Sequence, residues 1–162
     1  MVSQIYLIEG LCDNRFSIMP HPNGSDLISE IKNWNSLGIE VVVSLLTPQE
    51  QSELHLLKEK ELCQSNGILY FNYPIKDEVP DSKRDTIDFI NKLKEISDSK
   101  QKFIFHCRGG VGRSSMMLAL LLSKYGVDCK ESFRLISQAR GELAPESDEQ
   151  MLWVKALIKM MS

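Results

Sequence analysis

Long hydrophobic runs are missing from this sequence: the longest, residues 116–122, is far too short to cross a bilayer. A basic excess is missing too. The formal net charge of −3 gives no reason to expect nucleic acid or an anionic membrane surface as a partner. Cysteine is sparse, and Cys12, Cys63, Cys107 and Cys129 show neither the density of a disulfide scaffold nor a metal-ligand spacing. The histidines, His21, His55 and His106, form no sequence cluster that suggests a metal, so neither metal nor other cofactor is expected. Residues 1–7 lack a basic segment leading into an apolar core, so a signal peptide is not expected and a cytoplasmic location is. Repeats, low-complexity tracts and domain linkers are likewise absent.

What is present suits one domain over residues 1–162, with 43% hydrophobic and 25% charged residues, as in ordinary globular proteins. Residues 5–8 read as an opening strand and residues 10–22 as a loop broken by Pro20 and Pro22. Ser25 or Asp26 caps a helix whose apolar positions Leu27, Ile28, Ile31, Trp34 and Leu37 recur at helical spacing, and Gly38 closes it. Val41, Val42 and Val43 form a β-branched run suited to a strand buried on both faces. Thr47, Pro48 and Glu50 announce a helix start, with one long or two short helices reaching about residue 64. Glu53, Lys58, Glu59, Lys60 and Glu61 read as its solvated face. Residues 68–73 form the next strand. Ser82 with Asp85 opens an amphipathic helix buried through Ile87, Ile90, Leu93 and Ile96. Further helices are expected to about Tyr125, from Lys130 to Arg140, and from Ser147 onward. Strands alternating with helices predict an α/β fold, a three-layer-like sandwich with a mainly parallel central sheet flanked by helices and its site at the strands' carboxyl ends.

The stretch from His106 to Ser114 organises the rest. It joins a short apolar strand, Lys102 to Phe105, to a helix that begins near Ser115, which puts Cys107 on a strand-to-helix turn. Gly109, Gly110, Val111 and Gly112 let the backbone curl so that the amides of residues 108–113 converge on one point, at the positive end of the helix dipole. An anion is expected there, and the same field favours thiolate over thiol. Arg113 carries a planar fork able to hold two phosphate oxygens at once. Cradle, thiolate and clamp describe phosphoryl transfer to sulfur.

His106-Cys107, five residues, Arg113 and Ser114 resemble the signature of the cysteine-dependent protein tyrosine phosphatase superfamily, and the short chain is most similar to its dual-specificity branch. The resemblance implies a dual-specificity-phosphatase-like fold and a general acid on a loop before the signature. Asp77, on the proline-pinned loop of residues 74–80, is the candidate, with Glu78 and Asp81 as fallbacks and a simple turn-capping role as the bland reading. Pro80 follows Asp77 by three residues, where related loops have four. The resemblance also implies that Ser114 hydrogen-bonds the departing thiolate, although it could equally cap the helix. His106 would steady the loop and tune the sulfur. Gln150 resembles the glutamine that orients the hydrolytic water, or else completes a capping box with Ser147. Arg108 either selects a polyphosphorylated substrate or points to solvent. The sixth residue after Cys12 is Ile18, not arginine, which argues against the low-molecular-weight phosphatase architecture.

The expected function is metal-independent hydrolysis of phosphotyrosine in a phosphorylated protein or peptide, with phosphoserine and phosphothreonine as further substrates, by a monomer that inserts in no membrane. The alternatives are a phosphoinositide or other small phosphate ester with the same mechanism, and a non-catalytic phospho-binding protein. An accessible thiolate would also oxidise readily.

Overall fold

The computed structural model of the chain describes residues 2–76 and 78–162. Five strands form one sheet in the order β1 (Tyr6–Leu7), β2 (Phe16–Met19), β5 (Lys102–His106), β3 (Ile39–Ser44), β4 (Leu69–Asn72). Only the β1–β2 pair is antiparallel. The central strand, β5, pairs Phe105 with Ile18 on one side and with Val43 on the other, and it feeds directly into the Cys107 turn.

Side chains alternate across the sheet, and both faces are covered. Phe16, Ile18, Val41, Val43, Phe103 and Phe105 join one core, while Met19, Val42 and Ile104 join the other. The first core lies under α4 (Lys83–Ser97), α5 (Gly112–Ser123), α6 (Cys129–Arg140) and α7 (Asp148–Met161). The second lies under α1 (Leu27–Ser36) and α3 (Glu59–Ser65). This double burial explains the unbroken Val41–Val43 run. Each such side chain, fully removed from water, contributes roughly 1.5–3 kcal/mol. Every residue of α5 from 114 to 122 is buried, because α4, α6 and α7 surround its outer side.

Several expectations are corrected here. Residues 10–22 are not all loop: β2 lies within them, a short strand whose four residues are all buried, so it shows no alternation to read. The segment after Thr47 makes two short helices, α2 (Pro48–Glu53) and α3, and the Thr47–Glu50 capping box is present. Glu59 is not on a solvated face; it is fully buried. On α4 the buried positions are Thr86, Ile90, Leu93 and Ser97, with Ile87 and Ile96 at the margin. Ser25 and Asp26 do not cap α1 through their side chains; Asn23 instead accepts the Ser25 N–H in a preceding 3-10 turn.

Candidate active site

Residues 107–111 turn the chain from β5 into α5. Gly110 has a φ of +73°, and a Cβ there would lie 2.4 Å from the Met19 carbonyl carbon, so the loop rests directly on the backbone at the end of β2. The loop's carbonyls face away from the sulfur. The Arg140 guanidinium donates to Gly110 O at 3.0 Å and to Gly109 O at 3.2 Å, and His21 N–H donates to Arg108 O at 3.2 Å. With carbonyls held outside, amides are free to face inward: Gly110 N–H donates to Cys107 Sγ at 3.2 Å. Cys107 is 2% exposed, at the bottom of a cavity of about 460 Å³. Lys76, Glu78, Arg108, Gly109, Arg113, Glu146 and Gln150 line the rest of it.

Arg113 is fixed by a carboxylate that the sequence reading assigned only to a helix cap. Glu50 accepts from Nη1 at 2.8 Å and from Nη2 at 2.9 Å, and Ile75 O accepts from Nη1 at 2.9 Å. A guanidinium has five N–H donors. These three contacts leave Nε–H and one Nη2–H, a neighbouring pair on one edge, for two oxygens of a phosphate. Glu50 thereby aims the clamp. Its own carboxylate is steadied by Thr47 N–H at 3.1 Å, so the same cap that starts α2 orients the residue.

The Arg113 guanidinium holds the Glu50 carboxyl at a pKa of about 2, below its ordinary 4.5. A depressed carboxylate pKa stabilises the fold above the ordinary value and loses that contribution as pH falls through the depressed one. The margin between wild type and Glu50→Gln should therefore be widest above about pH 4.5 and shrink toward pH 2, as followed by denaturant midpoints. A margin independent of pH would remove the pair from acid stability.

The remaining expected residues lie as follows. Asp77 lies outside the described residues. Glu78 lines the cavity, with Oε2 accepting the Ser147 hydroxyl at 3.0 Å, and Asp81 is exposed. Val111 is buried in the core beneath the loop. Gly112 donates its N–H to Glu146 Oε1 at 3.0 Å. Ser114 is fully buried and its hydroxyl has no hydrogen-bond partner among the described residues. His106 is buried with Nε2 2.6 Å from Glu59 Oε2, and its Nδ1 is unpartnered among the described residues. Gln150 is buried in the cavity wall; its Oε1 accepts Glu146 N–H at 2.9 Å and its Nε2 donates to Glu78 O at 2.9 Å. Ser147 Oγ accepts Gln150 N–H at 3.2 Å, but the Gln150 side chain reaches Glu146 and not the cap residue itself, so the expected box is one-sided. Arg108 is half exposed, 3.3 Å from Glu53 and 3.8 Å from Glu50.

Glu50, Glu59, Arg140 and Glu146 were missed from sequence. Glu50 and Glu59 lie in a charged helical segment, and Arg140 and Glu146 flank the α6–α7 connection, where a single charge carries no local sign of a partner distant in the chain. The four thiols are free, and burial pushes those of Cys12, Cys63 and Cys129 up, which makes them poorer nucleophiles.

A cysteine and an aimed arginine sharing one oxyanion cradle, at the carboxyl end of a parallel sheet, define a cysteine-dependent phosphatase site. The family model described as the PTP-SAK, or Swiss Army Knife protein, DSP-PTPase phosphatase domain matches residues 11–159, and the chain belongs to that family. It is a phosphoric monoester hydrolase of that type. Protein tyrosine phosphatase type IVA 3 of Bos taurus is 25% identical over 128 residues, spanning 78% of this chain and 69% of that one. Putative tyrosine phosphatase 197R of Invertebrate iridescent virus 6 is 34% identical over 92 residues, spanning 54% of this chain and 32% of that one, and cyclin-dependent kinase inhibitor 3 of Homo sapiens is 27% identical over 93 residues, spanning 57% and 44%. Two solved structures share the fold. One is kinase associated phosphatase with its catalytic cysteine replaced by serine, at a TM-score of 0.86 and 18% identity, covering 99% of this chain and 97% of that one. The other is PTPMT1 in complex with PI(5)P, at a TM-score of 0.76 and 16% identity, covering 94% and 95%. Among the described residues, no helix is long and apolar enough to cross a membrane.

Proposed function

We propose that this chain hydrolyses phosphotyrosine in proteins or peptides, with phosphoserine and phosphothreonine as further substrates, through a cysteinyl-phosphate intermediate. The observation that carries the reading is Cys107 and the Glu50-aimed Arg113 in one cavity, with an amide already turned toward the sulfur. Cys107 attacks phosphorus, Arg113 and the amides of residues 108–113 hold the phosphoryl oxygens, and Asp77 protonates the departing oxygen. The unpartnered Ser114 hydroxyl is available to the sulfur as it leaves in the second step. His106, held by Glu59, steadies the start of the loop from behind. The protein works as a cytoplasmic monomer, one domain over residues 1–162, with no metal or other cofactor.

A phosphoinositide substrate is the second reading, favoured by two cations, Lys76 and Arg108, at the cavity. Against it, Glu50 and Glu53 already engage Arg108, and Glu78 and Glu146 add negative charge to the same wall, which disfavours a ligand with several phosphates. The deciding measurement is kcat/KM for a phosphotyrosine peptide, the matching phosphoserine and phosphothreonine peptides and a phosphoinositide, side by side. The expected order places phosphotyrosine first, and a preference for the phosphoinositide would reverse the assignment. Turnover of none of them would favour the non-catalytic reading.

Asp77→Asn should slow an alkyl or unactivated phenyl phosphate by about 10²–10⁴-fold and an activated nitrophenyl ester far less. Equal losses on both would take the acid role from Asp77.

A further inference from the structure

Among the described carboxylates, only Glu146 accepts a hydrogen bond from an amide of residues 108–113, the amides read above as holding the phosphoryl oxygens. Its Oε1 lies 3.0 Å from Gly112 N, at the first turn of α5. The other acids near the cavity are engaged elsewhere, Glu50 on Arg113 and Thr47, Glu53 on Arg108, and Glu78 on the Ser147 hydroxyl. A helix N-terminus draws anions, and here the anion belongs to the chain itself. The contact is close: a Cβ on Gly112 would lie 2.8 Å from Glu146 Oε1 and 2.9 Å from Gln150 Nε2. Glu146 also lines the cavity that holds Cys107 and Arg113. An amide has one proton to give, so a phosphoryl oxygen reaches Gly112 N–H only after Glu146 Oε1 has left it.

The surroundings let this carboxylate leave and return. Gln150 Oε1 accepts the Glu146 N–H at 2.9 Å, and Gln150 Nε2 is anchored on Glu78 O at 2.9 Å, so the backbone stays in place while the side chain swings. Glu146 is otherwise exposed, and water takes up its charge once it is displaced.

Resting on the cysteinyl-phosphate reading, we propose that Glu146 is an internal competitor of the phosphoryl group, yielding Gly112 N–H to the entering substrate and taking it back to expel inorganic phosphate at the end of the cycle. No covalent bond forms or breaks in this exchange, and no proton moves. The affinity for a free oxyanion is lowered by the fraction of molecules whose amide is already occupied.

Titration calorimetry with inorganic phosphate reads this without turnover. Glu146→Ala frees the amide and should tighten phosphate binding about fivefold or more, with the phosphate Ki against p-nitrophenyl phosphate falling in step. Glu146→Gln keeps a neutral acceptor within reach of Gly112 and should tighten it by less. Glu78→Gln removes one negative charge from the same wall without freeing an amide of the loop, and should change the affinity less than about twofold. Phosphate binding that is unchanged or weaker in Glu146→Ala overturns the proposal. Equal tightening by Glu78→Gln overturns it too, because the effect then belongs to the charge of the wall and not to the occupied amide. A thermal melt checks that each variant is folded, and if Glu146→Ala is not, the direction of change in Glu146→Gln decides. If wild type binds phosphate and yields acid-quenched phosphoprotein while the Glu146 variants bind no more tightly, this proposal alone fails. If wild type neither binds phosphate nor yields phosphoprotein, the cysteinyl-phosphate reading fails and takes the proposal with it.

Discussion

Cys107→Ser abolishes turnover of an aryl phosphate, by about 10⁴-fold or more, and leaves oxyanion binding in place. A serine hydroxyl stays protonated where a cysteine can ionise, and among the described residues the Cys107 side chain meets a donor, the Gly110 N–H, and no hydrogen-bonded base. The binding apparatus does not depend on the sulfur. Arg113 takes its orientation from Glu50 and Ile75 O, and the loop takes its shape from Arg140, His21 and the Met19–Pro20 backbone. Titration of the variant with inorganic phosphate should therefore give an affinity close to wild type, while nitrophenol release disappears. Undiminished release would remove Cys107 from the mechanism. Lost oxyanion binding would mean that the sulfur also shapes the loop.

Arg113→Lys is the second large effect, and it separates charge from geometry. The guanidinium spans two tasks, three hydrogen bonds to Glu50 and Ile75 O and a free edge toward the cradle. An ammonium cannot span both. It would settle on Glu50, which is the stronger partner, and leave the phosphoryl oxygens without their clamp. The expected outcome is a fall in kcat/KM of about 10³-fold, similar to deleting a donor from an oxyanion hole, with little change in melting temperature because Glu50 stays paired. A loss below tenfold would show that positive charge alone suffices. A large drop in melting temperature would show that the lysine fails to replace the pair.

How much of this could be read from the sequence depended on how local each signal was. The nucleophile loop was legible because strand, glycines, arginine and helix are contiguous, and β3 was legible because Val41–Val43 has only one comfortable home, inside a sheet covered on both sides. The strand β2 was not, since its four residues sit between a positive-φ turn at Cys12 to Asn14 and Pro20, and its partners in β5 are far away in the chain. Glu59 was misread for a related reason. On its own helix it is one charge among several, and only the arrival of β5 brings His106 against it and buries both. Long-range pairing of this kind leaves no periodic trace. Glu50 shows the opposite case, a residue whose local cap was recognised and whose distant partner, Arg113, was not.

The contact at Gly110 has a consequence for selectivity. Because even a methyl group has no space between that residue and the end of β2, the floor of the pocket cannot sink or widen to suit a bulkier ester. Discrimination among candidate esters is left to the walls, where Lys76, Glu78 and Glu146 stand on segments that join the regular elements. Changing what this catalyst accepts should therefore begin with those three side chains, and leave the nucleophile turn untouched.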